Sequence, residues 1–144
     1  CLRLVGSEMC IRDRYYVTAC SNDAMQYAVL AAMEQASDYP DKMREEFENR
    51  RDLICSRLNE MEGVSCHVPD GAFYVFPKIE VNSMTSEELA MEMLSEGILC
   101  SPGSAFGEAG EGHLRFAYTI SKEDIDRGMD RVARVIQRIS EKQD

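Results

Sequence analysis

The chain has 144 residues, 44% of them hydrophobic and 29% charged, a composition ordinary for one globular domain. Its 26 acidic residues outweigh 16 basic ones, for a net charge of −10, which argues against a binder of nucleic-acid backbones or anionic membranes. No run approaches the roughly 18 consecutive apolar residues that a membrane-spanning helix needs.

The chain begins with Cys1 rather than Met, and no signal-peptide pattern precedes the first periodic segment. The opening Cys1–Arg14 run has neither a helical nor a strand period. It resembles translated adaptor sequence, so residues 1–17 are expected to be a foreign leader on a piece of a larger protein. The six cysteines (Cys1, Cys10, Cys20, Cys55, Cys66 and Cys100) include no C-x-x-C pair, and His67 and His113 stand at no metal-ligand spacing. Reduced thiols in a cytoplasmic protein, with no metal, are expected.

From Ser21 onward periodicity appears. Ser21 or Asn22 can cap a helix ending near Ala36, with Met25, Val29, Ala32 and Met33 on one stripe. Pro40 opens a second helix running to about Glu62, with Met43, Phe47, Ile54, Leu58 and Met61 as its apolar stripe. Glu46 and Arg50 form a favourable pair on its wet side, and Gly63 ends it. At 1.5 Å per residue this helix is about 33 Å long. Val64–Val68 reads as a short strand. Pro69-Asp70-Gly71 reads as a turn in which glycine takes the positive φ. Ala72–Phe76, apolar on both faces, reads as a central strand. Thr85 and Glu88 form a capping box for a helix stopping at Gly97. Ile98–Cys100 and His113–Thr119 read as strands. Ser121 opens a last helix with Ile125, Met129, Val132, Ile136 and Ile139 on one face. Its arginines (Arg127, Arg131, Arg134, Arg138) are offset by nearby acids and read as a solvated face. The pattern predicts an α/β (α+β) fold, with helices packed on one side of a small, mainly antiparallel sheet and one long connecting helix.

The position that suggests chemistry is Arg115. From Glu80 to His113 there are seven glutamates and no Lys or Arg; then a single Arg appears inside the apolar strand. By alternation Leu114, Phe116 and Tyr118 share one face, and Arg115 shares the other with the small residues Ala117 and Thr119. A guanidinium among small side chains can grip a carboxylate with its planar fork. The competing reading pairs Arg115 with one of those glutamates. The loop Ser101–Gly112 holds four glycines, but it leads into a strand and carries Glu108 and Glu111. It therefore fits backbone approach to a ligand or another chain better than a phosphate cradle. The nine methionines read as core filling, and His67 and His113 as packing or surface residues. No nucleophile–base arrangement is visible.

Three ordered runs carry a family resemblance. Pro69-Asp70-Gly71-Ala72-Phe73-Tyr74-Val75-Phe76-Pro77 resembles the P-x-GAFY-x-F run of class I/II (fold type I) pyridoxal-phosphate aminotransferases. Ser101-Pro102-Gly103-Ser104-Ala105-Phe106-Gly107 resembles their V-P-G-x-x-F-G loop. Gly112-His113-Leu114-Arg115-Phe116-Ala117-Tyr118 resembles their G-x-LR strand. Upstream, Gln26–Ala32 is similar to their QYAALAAL helix.

The resemblance implies that Arg115 binds the α-carboxylate of an amino acid or 2-oxo acid substrate, in a homodimer using pyridoxal 5'-phosphate. It implies that residues 18–39 end the large cofactor domain, 40–62 form the connecting helix, and 63–144 form the C-terminal small domain. The family's cofactor-bonding Lys lies in a Ser-Lys motif upstream of the region that matches, and neither Lys42 nor Lys78 fits it. No catalytic or cofactor-binding residue is therefore expected in this chain, and the piece alone is expected to be inactive. Aspartate and other amino donors remain open. Two other readings stand beside this one: a stand-alone amino-acid-binding regulatory or interaction module, and a lyase or synthase of the same cofactor family.

Overall fold

The computed structural model describes residues 16, 22–36, 38–80 and 84–141. The expected leader, residues 1–17, lies outside the described residues apart from Tyr16. The chain divides into two compact units, 1–42 and 43–144.

In the first unit, α1 (Asp23–Gln35) is capped by Asn22, whose side-chain oxygen accepts from the Met25 N–H at 3.3 Å. Its expected apolar stripe is laid out as predicted, yet none of its residues is buried; Met25 is 65% and Met33 75% exposed. Helix α2 (Tyr39–Asn59) begins in this unit and ends in the second, so the helix stops three residues short of the expected Glu62. Gly63, expected to end it, lies four residues beyond its last residue and takes a positive φ of 73° in the turn before β1.

The second unit is built on two antiparallel sheets. β1 (Val64–Ser65) pairs with β3 (Lys78–Ile79). β2 (Tyr74–Val75), β5 (Leu114–Ala117) and β4 (Ser101–Pro102) form a second sheet in the order β2-β5-β4. Two expectations are corrected here, and one strand is new. The segment around Tyr74 is an edge strand; the central one is β5. The strand expected at Ile98–Cys100 sits just beyond, at Ser101–Pro102. And β3, hidden behind Pro77, was not foreseen, because two residues are too few to show a period.

The turn before β2 also differs. The positive φ belongs to Ala72 (72°), not to Gly71. An alanine in this left-handed region is held there by its surroundings: the Ala72 carbonyl accepts from the buried Tyr118 hydroxyl at 2.8 Å, and the Phe73 carbonyl accepts from the Tyr118 N–H at 2.9 Å.

α3 (Ser86–Ser95) has the expected capping box at Thr85 and Glu88, and α4 (Lys122–Ser140) has its Ser121 cap. The expected α4 stripe is buried in full, with Val135 added. It meets Ile54 and Leu58 of α2, Leu89 and Met93 of α3, and Val75, Leu114 and Phe116 of the sheet in one core. At ~25 cal/mol per Å² of apolar surface removed from water, this shared burial is the main stabilising term.

Around the core, arginines bridge helices. Arg57 of α2 reaches Asp126 at 2.8 Å and Asp130 at 2.5 Å, and Arg138 of α4 reaches Glu92 at 2.9 Å and Glu96 at 2.6 Å. The basic face of α4 is thus only partly a solvated one. The Glu46–Arg50 pair is likewise less wet than expected: Arg50 is half-buried and also donates to the Thr119 carbonyl at 3.2 Å. Exposed pairs of this kind contribute about 0–1 kcal/mol each; they orient the helices more than they stabilise them.

The loop between β4 and β5 contains two 3-10 turns, Gly103–Phe106 and Glu108–Gly110. Two of its glycines, Gly103 and Gly110, serve an internal approach. A Cβ built on Gly103 would lie 2.1 Å from the Gly110 carbonyl oxygen, and one on Gly110 would lie 2.1 Å from that of Gly103. At these two positions the backbone closes on itself. Glu111, read from sequence as a phosphate-repelling charge, caps α3 instead: its carboxylate accepts from the Ser86 N–H at 2.6 Å, while the Ser86 hydroxyl accepts from Gly112 N–H at 2.8 Å. That N–H bond holds the Glu111 carboxyl below the usual carboxylate range.

Two outcomes follow for stability. Tyr118→Phe removes the hydroxyl that holds the Ala72 bend and should lower unfolding free energy by about 1–3 kcal/mol, measured by urea denaturation. Because the Glu111 pKa is lowered in the fold, its contribution is present above the unfolded pKa and lost as pH falls through the folded one. Glu111→Gln should therefore be less stable than the parent at pH 7, and the gap in urea midpoint should close as the solution is acidified below the carboxylate range.

Candidate functional site

The register of the β2-β5-β4 sheet places Ser101 directly opposite Arg115 and Tyr74 opposite Ala117. Arg115 and Ala117 are two residues apart and share a face, so Tyr74 is Arg115's diagonal neighbour across the strand pair. The guanidinium uses both neighbours. Its Nη2 donates to Ser101 Oγ at 3.2 Å, and its central carbon lies 5.5 Å from the centre of the Tyr74 ring. A third contact comes from the 3-10 turn after β4: Phe106 stands with its ring centre 4.8 Å from the same carbon.

Phe106 is itself braced. Its ring meets that of Phe76 edge-on at 5.9 Å, and Phe76 stacks on His113 at 5.0 Å, with only 11° between the planes. His113 Nδ1 lies 3.0 Å from the Glu111 carbonyl oxygen. His113 is thus part of an aromatic buttress, whereas His67 is exposed.

The walls around Arg115 therefore differ from the sequence expectation. Ala117 does share its face, but the guanidinium is flanked by two aromatic rings and a hydroxyl, not by small residues alone. Tyr74, Phe106 and Ser101 were missed as site residues because strand alternation relates residues within one strand, whereas these reach Arg115 from a neighbouring strand and a turn. The signal that could have found them was already in the sequence: each lies inside one of the motif runs, as Arg115 does.

Five of the seven glutamates before β5 have partners of their own. Glu80 pairs with Lys78, Glu88 caps α3, Glu92 and Glu96 take Arg138, and Glu111 takes the Ser86 N–H. Among the described residues no carboxylate lies within ion-pair distance of Arg115. The Arg115 guanidinium is thus half-buried, with its face against two rings, one N–H on a hydroxyl and no carboxylate partner among the described residues.

Other chemistry is sparse. Burial pushes the Cys100 thiol, beside Ser101, up to about 11, and the Cys66 thiol up to about 12, so neither supplies a thiolate at neutral pH. Among the described residues, no group of three His, Cys, Asp or Glu could hold a metal ion, and no helix is long and apolar enough to cross a membrane.

The lysines Lys42, Lys78 and Lys122 are each engaged with an acid (Asp38, Glu80 and Glu46) on exposed side chains. None belongs to the cluster around Arg115, and the glycine-rich loop leads into β5 rather than into a helix N-terminus.

The family model described as "Aminotransferase class I and II" matches residues 10–132 of this chain. Over 133 residues the chain is 38% identical to the aromatic-amino-acid aminotransferase 2 of Thermococcus litoralis, covering 90% of this chain and 34% of that protein. An aspartate aminotransferase of Pyrococcus abyssi is similar to the same degree, 38% over 133 residues, with 90% and 34% covered. Among solved structures, the alanine aminotransferase from Pyrococcus furiosus superposes with a TM-score of 0.84 at 34% identity, covering 94% of this chain and 35% of that one. The chain thus spans about a third of the length of the curated relatives it matches. On the family-model match, and with the three motif runs meeting around Arg115, the chain belongs to the class I and II aminotransferase family.

Proposed function

We propose that the intact protein is a pyridoxal-phosphate-dependent aminotransferase that moves an amino group between an amino acid and a 2-oxo acid, and that Arg115 binds the α-carboxylate of either. The observation that carries this reading is the Arg115 guanidinium, half-buried in the meeting point of three family motifs with no carboxylate partner among the described residues. The pyridoxal group supplies the electron sink of the reaction when bound. The residues of this chain contribute the other requirement, orientation. A forked pair of N–H bonds fixes the carboxylate and therefore the direction in which the neighbouring Cα presents its hydrogen.

Residues 18–39 are assigned to the end of the large cofactor domain, 40–62 to the connecting helix and 63–144 to the small domain. The intact enzyme is assigned as a cytoplasmic homodimer, in keeping with the free thiols of Cys55, Cys66 and Cys100. The 144-residue chain by itself is not expected to turn over substrate, since its described lysines stand apart from Arg115.

In the full-length enzyme, Arg115→Ala should reduce kcat/KM for amino acids by about 2–5 kcal/mol of lost binding, by analogy with truncated charge pairs, while cofactor affinity stays unchanged. Arg115→Lys should recover only part of the loss, because a point charge cannot reproduce the planar fork. Steady-state kinetics with L-aspartate, L-alanine and L-phenylalanine, alongside cofactor titration, measure both; an unchanged kcat/KM in Arg115→Ala would overturn the assignment.

A further inference from the structure

We propose that Phe106, together with Tyr74, is a positioning residue that holds the Arg115 guanidinium in the plane and direction needed to receive the substrate carboxylate. This rests on the reading of Arg115 as the carboxylate receptor and goes beyond it by saying what makes that receptor competent.

An arginine side chain carries a large rotamer entropy, and a forked bond to a carboxylate requires both oxygens to meet donors at once. A free guanidinium would have to be ordered each time substrate binds, and affinity would fall accordingly. Here the ordering is built in. Ser101 holds Nη2 from the strand directly opposite, at 3.2 Å, and the two rings stand 5.5 and 4.8 Å from the guanidinium carbon. The weakly hydrated face of the guanidinium lies against carbon, while the N–H groups other than the one on Ser101 have no partner among the described residues. They remain available at the edge, where a carboxylate binds.

Among the described residues Phe106 is left 55% exposed and Tyr74 39% exposed. What Phe106 touches is Arg115 on one side and Phe76 on the other. The turn that carries it is fixed by the mutual approach of Gly103 and Gly110, and Phe76 is fixed in turn by its stack on His113. The loop motif and the strand motif thus have a shared physical purpose: the loop delivers a ring to the arginine that the strand presents.

The test uses the full-length enzyme with Phe106→Leu, Tyr74→Leu, the conservative Phe106→Tyr, and Arg115→Ala as reference. Single-turnover amino transfer is measured with L-phenylalanine and L-alanine, and with 2-phenylethylamine and ethylamine, the same molecules without the carboxylate. Phe106→Leu and Tyr74→Leu should each raise the half-saturating concentration of the two amino acids about 5- to 30-fold, as expected for removing one ring from a cation. The limiting rate and both amine reactions should be nearly unchanged, and Phe106→Tyr should behave as the parent. If Arg115→Ala weakens the amino acids but the ring variants do not, the positioning role is wrong while the Arg115 assignment stands. If a ring variant slows amino acids and amines alike, the ring is merely structural and the proposal also fails. If Arg115→Ala itself leaves amino-acid binding intact, the receptor reading fails and takes the positioning role with it.

Discussion

In β5 the side chains of Leu114 and Phe116 are buried in the core, and successive residues of a strand point to opposite faces, so Arg115 between them has to leave the core. A shift of one residue in register would bury the guanidinium and expose two large apolar side chains, at a cost of many kcal/mol. The alternation along four residues therefore does two things at once. It anchors the sheet to the helices, and it points one cation away from them. Because β5 is the central strand, its outward face is bordered by neighbours on both sides, and what those neighbours carry decides the character of the site.

The borders are Ser101 on β4 and Tyr74 on β2, with Phe106 added by the turn that follows β4. Each is placed by an interaction remote from the guanidinium. Tyr74 follows a bend in which Ala72 is held at positive φ by the buried Tyr118 hydroxyl. The Phe106 turn depends on two glycines whose backbones touch, and its far end is tied to α3 through Glu111 and Ser86. The site is thus formed on the exposed side of a sheet whose other side is held by the buried stripe of α4, and its precision comes from loops that are closed by their own hydrogen bonds. No carboxylate among the described residues pairs with the guanidinium, and Glu92, Glu96 and Glu111 have partners elsewhere.

Much of this was legible without coordinates. The α4 stripe, the caps at Asn22, Thr85 and Ser121, and the inward and outward faces of β5 all follow from period and local hydrogen bonding, which a sequence records directly. Arg115 stood out for the same reason: a charge inside an apolar strand is a local anomaly. The errors were of another kind. Apolar residues at Ala72–Phe76 suggested a central strand, but which strand is central depends on pairing. Gly71 looked like the residue for positive φ, but Tyr118, 46 positions away in sequence, places that strain on Ala72. Glu111 looked like a repelling charge in a loop, yet its real partner is the start of a helix 25 residues upstream. The α1 stripe was correctly laid out, but its burial was not a property of the helix.

By itself the sequence determined the helices, their caps, the faces of β5 and the outward direction of Arg115, because each is set by contacts between residues a few positions apart. Through the order of its motif runs it also pointed to the family. Only the tertiary structure decided that the three runs converge on one guanidinium, that its walls are the rings of Tyr74 and Phe106, and that no glutamate among the described residues quenches it. Those facts depend on strand order and register and on a loop folding back on itself. They are made by contacts 9 to 41 residues apart in the chain, which no local period encodes.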